Sequence, residues 1–190
     1  RRGQMCINDR HFLQAQDADD AHIPLIAPEV AGTSGPPPQF RKFNNFNDEA
    51  NYIARCIWKW HESGQPLNNI AVIYGHHWQA ETLQSALKNT GITCAWLKSA
   101  TDKKRYDANA DRVALLTRQS SKGLEFDTVV LAGLGGLKSE KENLENEVRL
   151  VYVGMTRAQQ KLLITGSESN WFVTSIESAF DDWRNKVSIR

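Results

Sequence analysis

The sequence has little of the features that mark secreted, membrane or metal-binding proteins. Its three cysteines, Cys6, Cys56 and Cys94, are widely spaced, and no histidine stands at metal-ligand spacing to them. This pattern is typical of reduced thiols in the cytoplasm and does not suggest a disulfide framework. No signal peptide or run of membrane-spanning length is recognisable. We therefore expect a cytoplasmic protein that has no metal site of its own.

A strong charge of either sign is also absent. The chain carries 23 Lys and Arg against 22 Asp and Glu, a formal net charge of +1. Such a chain has no global field to recruit nucleic acid or a membrane, so any site for a polyanion must be local. A length of 190 residues with 41% hydrophobic residues suits a globular domain with a real core. The chain starts at Arg1 rather than Met, which suggests a fragment of a longer protein.

The glycine motifs that bind phosphate are missing as well. No G-x-x-x-x-G-K-[ST] loop occurs anywhere in the chain. The run Gly133-Leu134-Gly135-Gly136 follows a predicted strand, but the third glycine of a dinucleotide-binding motif would fall on Lys138. We interpret this run as a flexible turn. The chain alone is therefore not expected to bind a triphosphate in the ordinary way.

The chain divides into two predicted regions. Residues 1–38 show little periodicity and close on a Gly/Ser/Pro run at residues 32–38, which is typical of an irregular segment ending in a stiffened linker. A proline-rich docking peptide is the alternative. Residues 39–190 alternate strand and helix patterns, with a short apolar run at residues 70–74 and a helical pattern that follows Asn47, a predicted N-cap. This alternation predicts an α/β fold with a parallel sheet and helices on both faces.

The most informative stretch lies at residues 113–132. A predicted strand at residues 113–117 runs into a polar loop that ends at Gly123, and a second strand follows at residues 128–132. The loop places hydrogen-bond donors at the carboxyl edge of the sheet, where open α/β sheets bind ligands. The two strands are separated by too little chain for a helical crossover of about a dozen residues. The loop therefore holds a single turn, or the two strands are not neighbours.

Two kinds of side chain could contact a nucleotide. If the helix predicted over residues 144–160 is continuous, Arg149 and Arg157 share one face, and guanidinium groups bind phosphate oxygens well. The alternative is a solvated face on which Glu145 and Arg149 form an i,i+4 pair. Tyr74, at the end of a predicted buried strand, could offer a flat face to a base, although such a residue is more often a sheet-edge aromatic.

Two long stretches carry a resemblance to a known family. Residues 117–126, Thr-Arg-Gln-Ser-Ser-Lys-Gly-Leu-Glu-Phe, resemble motif V of superfamily 1A helicases, the UvrD/Rep/PcrA-like group. Residues 147–158, Glu-Val-Arg-Leu-Val-Tyr-Val-Gly-Met-Thr-Arg-Ala, resemble motif VI, and residues 70–87 resemble motif IV more weakly. The three motifs occur in the family's order, and the resemblance covers about residues 40–167.

The resemblance implies a second, C-terminal RecA-like motor domain with a three-layer parallel sheet. ATP would lie in a cleft against an N-terminal RecA-like domain of the same parent, which would supply Mg²⁺ and most phosphate contacts. Single-stranded DNA would be the other partner. By position, Arg157 would be the catalytic γ-phosphate arginine, Glu125 the ribose contact and Tyr74 the adenine stack, while Thr117 and Gln119 would face the strand. Arg149 and Lys122 would tune the ATP cleft or couple it to the strand.

Three departures from the family pattern leave other readings open. Gly75 stands where the family usually has an arginine, Gln119 replaces a histidine, and the connection over residues 98–111 has no room for a large accessory subdomain. One alternative is a non-catalytic RecA-like scaffold or nucleic-acid-binding module. Another is a free-standing nucleotide- or cofactor-binding enzyme, against which the broken glycine pattern argues.

Overall fold

A computed structural model of the chain describes residues 35–137 and 141–188. The predicted segment over residues 1–38 therefore lies almost entirely outside the described residues, and its interpretation stays a prediction. In the described part of the chain, no helix is long and apolar enough to cross a membrane. The strands and helices are β1 (Gln39–Phe43), α1 (Phe46–Glu62), β2 (Ile70–Tyr74), α2 (His77–Asn89), β3 (Cys94–Leu97), α3 (Ala100–Arg105), β4 (Val113–Thr117), β5 (Phe126–Leu131), α4 (Lys141–Met155), β6 (Ala158–Ser167) and α5 (Trp171–Ser188).

The strands form one six-stranded sheet in the order β1-β6-β5-β2-β4-β3, and every neighbouring pair is parallel. Helices α1 and α2 cover one face, in a core that includes Val72 and Leu115. Helix α4 lies on the other face, where a Cβ at Gly154 would lie 3.0 Å from Leu131. Helix α5 covers β1 on that same face through Phe40 and Phe180. The predicted α/β architecture with helices on both faces is confirmed.

Two predicted helix ends differ from the structure. The N-cap of α1 is Asn45 and not Asn47, because the Asn45 side chain accepts a hydrogen bond of 2.9 Å from the Asp48 backbone N–H. Helix α4 ends at Met155, and β6 already begins at Ala158. Arg157 therefore lies in the turn after the helix, so the predicted shared helical face with Arg149 is wrong.

The loop between β4 and β5 crosses the sheet, because β2 lies between the two strands. It is a chain of turns without a helix: the Ser121 N–H donates to Thr117 O at 3.0 Å, and the Leu124 N–H donates to Ser121 O at 3.1 Å. Gly123 adopts a φ of 78°, which glycine tolerates without strain. Of the two alternatives for the short connection, the structure bears out the second, because β4 and β5 are not neighbours in the sheet. As a result, one loop of eight residues joins the carboxyl edge of the sheet to the amino edge.

A buried carboxylate fixes α1 against the sheet. Glu49 is fully buried, and its Oε1 accepts hydrogen bonds from the Gly133 N–H at 2.7 Å and from Thr165 Oγ1 at 2.6 Å. Burial raises the pKa of Glu49, and these hydrogen bonds partly oppose the shift. Because Glu49 is one of two acidic residues in the first turn of α1, a common position for a solvated carboxylate, local pattern does not predict this role.

Candidate functional site

The predicted site residues lie at two opposite edges of the sheet. Because all strands run in one direction, residues that precede a strand lie at the amino edge, and residues that end a strand lie at the carboxyl edge. Glu125 and Arg157 precede β5 and β6, whereas Tyr74 and Thr117 end β2 and β4. The predicted ATP-binding set is therefore divided, because Glu125 and Arg157 lie at the edge opposite the carboxyl edge, where open α/β sheets usually bind ligands.

Arg157 is held at the amino edge by hydrogen bonds with neutral oxygens. Its Nε donates to Val153 O at 3.1 Å, its Nη1 to Leu124 O at 3.4 Å and its Nη2 to Thr156 Oγ1 at 3.1 Å. The ion pairs of the described residues do not include it. Its side chain is half-buried. The guanidinium is thus oriented by the fold while its positive charge stays available to an anion.

Glu125 lies beside Arg157 in the same part of the chain. The Phe126 N–H, directly after Glu125, donates to the Arg157 backbone oxygen at 3.0 Å. The exposed Glu125 carboxylate accepts a hydrogen bond of 2.9 Å from Gln159 Nε2. It also lines a cavity of about 270 Å³, which we call the amino-edge cavity and whose walls include Asn69, Tyr106, Asp127 and Gln159. The structure therefore brings together two of the four predicted nucleotide-binding residues.

Arg149 occupies the solvated surface of α4. Its side chain is 69% exposed and pairs at 2.8 Å with Glu145, which is 84% exposed. An exposed pair at this spacing contributes little to stability. The Glu145–Arg149 pair, which was the alternative interpretation of the sequence, is therefore present. A role for Arg149 in the ATP cleft stays a prediction.

Tyr74 does not offer a face to a ligand. The residue is fully buried at the carboxyl edge, and its hydroxyl accepts a hydrogen bond of 2.6 Å from Trp96 Nε1. Burial raises the pKa of the Tyr74 hydroxyl, so the group stays protonated. A stacking contact with adenine is not compatible with this position, because the ring packs inside the core between the sheet and its helices.

The loop after β4 carries the residues that were predicted to contact single-stranded DNA, and it places them at or near the carboxyl edge. Gln119 and Lys122 are exposed. Thr117 is half-buried, and its Oγ1 accepts a hydrogen bond of 3.1 Å from the Ser120 N–H. The threonine therefore shapes the loop, while the amide and the ammonium groups face solvent.

A buried arginine that sequence reasoning missed fills the space above Gly75. Arg118 has a side chain only 5% exposed, and its Nη2 lies 3.1 Å from Glu147 Oε2 on α4. A Cβ at residue 75 would lie 2.5 Å from that Nη2, so residue 75 has room only for glycine while Arg118 keeps this position. Burial lowers the pKa of Arg118, and the Glu147 carboxylate opposes the shift. An arginine in a polar loop carries no local signal for burial.

His76 is not free to replace an arginine at residue 75. Its Nε2 lies 2.7 Å from Gly136 O, and its backbone N–H donates to Gln79 Oε1 at 3.0 Å. The imidazole is therefore part of the packing between α2 and the turn after β5. The guanidinium nearest to residue 75 is that of Arg118.

Comparison with known proteins finds DNA helicases among the relatives of this chain. The Rep ATP-dependent DNA helicase of Buchnera aphidicola subsp. Schizaphis graminum is 48% identical over 61 residues, which cover 29% of this chain and 9% of that protein. DNA helicase II of Escherichia coli is 44% identical over 70 residues, which cover 33% of this chain and 10% of that protein. The chain thus spans about a tenth of the length of these curated relatives.

A solved structure shows the same fold. The C-terminal domain of a possible DNA helicase from Lactobacillus plantarum WCFS1 has a TM-score of 0.54 and 23% identity, and the match covers 71% of this chain and 76% of that one. The family of UvrD-like helicase C-terminal domains matches residues 9–101 and 95–169. Because this match takes in most of the chain, the protein belongs to the family of UvrD-like helicase C-terminal domains.

Proposed function

We propose that this chain is the second motor domain of an ATP-dependent DNA helicase or translocase. The observation that carries the proposal is the position of Arg157 beside Glu125 at the amino edge, where an oriented guanidinium without a carboxylate partner among the described residues adjoins a cavity. An arginine offered to a nucleotide from a second domain stabilises the negative charge that develops in phosphoryl transfer. The domain supplies this arginine and part of the ATP cleft.

The nucleotide would lie between this amino edge and a domain that carries the phosphate-binding loop. Arg157 reaches the γ-phosphate only when the two domains close, so ATP favours closure and product release favours opening. The described residues contain no cluster of three Asp, Glu, His or Cys side chains that could hold a metal ion. We therefore assign Mg²⁺, which would neutralise phosphate charge, to ligands of the other domain.

Helix α4 connects the two edges of the domain. It carries Glu147, which pairs with Arg118 in the carboxyl-edge loop, and it ends two residues before Arg157 at the amino edge. In the proposed function, Thr117, Gln119 and Lys122 lie along the path of single-stranded DNA. Contacts of this kind are made to the sugar–phosphate backbone of the DNA. The affinity for DNA therefore depends little on base sequence and falls as the salt concentration rises.

Reconstitution of the complete motor tests the proposal. We expect no measurable ATP hydrolysis by the 190-residue chain alone, and DNA-stimulated hydrolysis when it is joined to the phosphate-loop domain of its parent protein. A phosphate-release assay with and without oligothymidine measures both. Robust turnover by this chain alone would contradict the split site. A parent whose other domain lacks a phosphate-loop lysine would favour the scaffold alternative.

Removing a cation from the carboxyl-edge loop tests the strand path. Lys122→Ala in the complete motor should weaken oligothymidine binding at every sequence tested and lower the slope of log affinity against log salt by about one. Fluorescence anisotropy over a salt series measures this slope. Lys59→Ala, an exposed lysine on α1, is the matched control. An unchanged slope for Lys122→Ala would show that Lys122 does not contact the DNA.

A further inference from the structure

We infer that the buried pair of Arg118 and Glu147 couples the two edges of the domain, so that DNA bound at the carboxyl-edge loop changes the position of Arg157 and raises ATP turnover. The Arg118 side chain is only 5% exposed, so it acts through Arg157 and is a positioning residue. This role rests on the function proposed above. It adds the contacts through which the DNA path and the ATP cleft communicate.

The pair depends on the departure from the family pattern at residue 75. A Cβ at this position would lie 2.5 Å from Arg118 Nη2 and 3.0 Å from its Cζ, so any side chain there would displace the guanidinium. The family usually has an arginine at this position, whereas this chain has Gly75. The buried pair is therefore a property of this chain and does not follow from the usual pattern of its family.

The first connection between the two edges runs through α4. Arg118 Nη2 lies 3.1 Å from Glu147 Oε2 on this helix. Further along the same helix, the Val153 backbone oxygen accepts a hydrogen bond of 3.1 Å from Arg157 Nε. Glu147 and Val153 keep their relative positions because the hydrogen-bonded backbone of a helix moves as a unit. A shift of Arg118 therefore moves the helix that orients Arg157.

The second connection runs through the carboxyl-edge loop itself. Ser121 is fully buried, and its Oγ donates a hydrogen bond of 2.6 Å to the Arg118 backbone oxygen. The Leu124 N–H donates to Ser121 O at 3.1 Å, and Leu124 O accepts from Arg157 Nη1 at 3.4 Å. The two exposed residues that we propose to contact DNA lie between these anchors. The two connections form a closed ring, so a displaced loop acts on the Arg157 guanidinium from both sides.

Burial makes the contact between the loop and α4 hard to break. Arg118 Nε and Nη1 have no hydrogen-bond partner among the described residues, so Glu147 supplies the counter-charge. Separating the pair would leave a buried charge unpaired, which is strongly unfavourable. The exposed pair of Lys42 and Glu177, at 36% and 40% exposure, can instead exchange its partner for water. The loop and α4 are therefore expected to move together.

The ratio of ATP turnover with oligothymidine to turnover without it tests this coupling in the complete motor. Replacing both partners, Arg118→Met with Glu147→Met, leaves no buried charge unpaired and should preserve folding. It should lower the ratio at least about fivefold. Because linkage is reciprocal, an ATP analogue should also change the affinity for oligothymidine less in this variant. Lys42→Met with Glu177→Met is the matched control and should keep both effects.

Gly75→Ala tests the same contact from the opposite side. Gly75 is not among the glycines with a positive φ, so its backbone accepts a side chain, but the added methyl group would displace Arg118 Nη2. This variant alone should lower the ratio. Added to Arg118→Met with Glu147→Met, it should cause no further loss, because the contact is already absent. A full additional loss in the triple variant would contradict the coupling through Arg118.

The outcomes separate the coupling from the motor. If Arg157→Ala stops hydrolysis while the double methionine variant keeps its stimulation by DNA, the coupling is wrong and the motor stands. Should the double variant not fold, undiminished stimulation in Gly75→Ala overturns the coupling. Should the complete motor hydrolyse no ATP, NMR of the Arg157 side chain in the 190-residue chain decides. Oligothymidine should shift the Arg157 Nε–H resonance in the wild type and much less in Gly75→Ala. No shift, or equal shifts, overturns the coupling.

Discussion

Arg157→Ala is expected to lower ATP turnover by the complete motor by at least about a thousandfold, the effect typical of an arginine that stabilises the transition state of phosphoryl transfer. The KM for ATP should change much less, because the guanidinium reaches the γ-phosphate only in the closed state. A coupled ATPase assay at saturating oligothymidine measures turnover, and equilibrium binding of a non-hydrolysable ATP analogue measures affinity.

The contacts of Arg157 indicate that the variant should fold, and they guide the choice of control variants. The variant removes three hydrogen bonds to neutral oxygens and leaves no carboxylate of the described residues unpaired, so the folded state should tolerate it. Arg157→Lys keeps a positive charge but loses the bidentate geometry, and it should remain severely impaired. Arg55→Ala, an exposed arginine on α1, controls for the loss of one positive charge. Turnover within tenfold of wild type in Arg157→Ala would contradict the proposed role.

Glu147→Ala should destabilise the domain by about 3 kcal/mol, because it leaves the buried Arg118 guanidinium without its counter-charge. We expect the lower end of the range for broken buried pairs, since the Glu147 side chain keeps 23% exposure while that of Arg118 is only 5% exposed. Arg118 Nε and Nη1 already lack hydrogen-bond partners among the described residues, so no neighbour can take over the lost contact. Urea unfolding followed by circular dichroism measures the change.

A second variant separates loss of charge pairing from loss of packing. Replacing both partners, Arg118→Met with Glu147→Met, removes the buried charge altogether and should recover most of the lost stability. Glu145→Ala breaks only the exposed pair with Arg149 and should change stability by about 0.5 kcal/mol or less. A Glu147→Ala domain as stable as the wild type would show that solvent or another group compensates Arg118.

Much of the fold follows from local pattern in the sequence. The unbroken apolar run at residues 70–74 and the strand at residues 113–117 appear where they were predicted, because a strand buried on both faces needs consecutive apolar residues. The short link between β4 and β5 correctly indicated that no helical crossover joins them, and the sheet order decided between the two alternatives that this left. The motif resemblance indicated the family, which the comparison confirms.

Local pattern failed where burial depends on residues distant in the chain. Tyr74 is closed by Trp96, and Arg118 is buried because Gly75 leaves room for it and Glu147 balances its charge. The burial of these two side chains leaves the pattern of apolar residues along the strands unchanged. No short stretch of sequence around Tyr74 or Arg118 could therefore predict it.

The sequence by itself determined the parallel α/β architecture and the family of this protein, since periodicity and motif order are properties of the chain alone. Only the tertiary structure decided how the site residues are divided. Glu125 and Arg157 meet beside the amino-edge cavity, whereas Tyr74 and Thr117 lie at the other edge. The physical reason is that the order and direction of the strands bring segments distant in the chain to one edge of the sheet. Strand order and direction depend on packing between helices and strands rather than on any local run of residues.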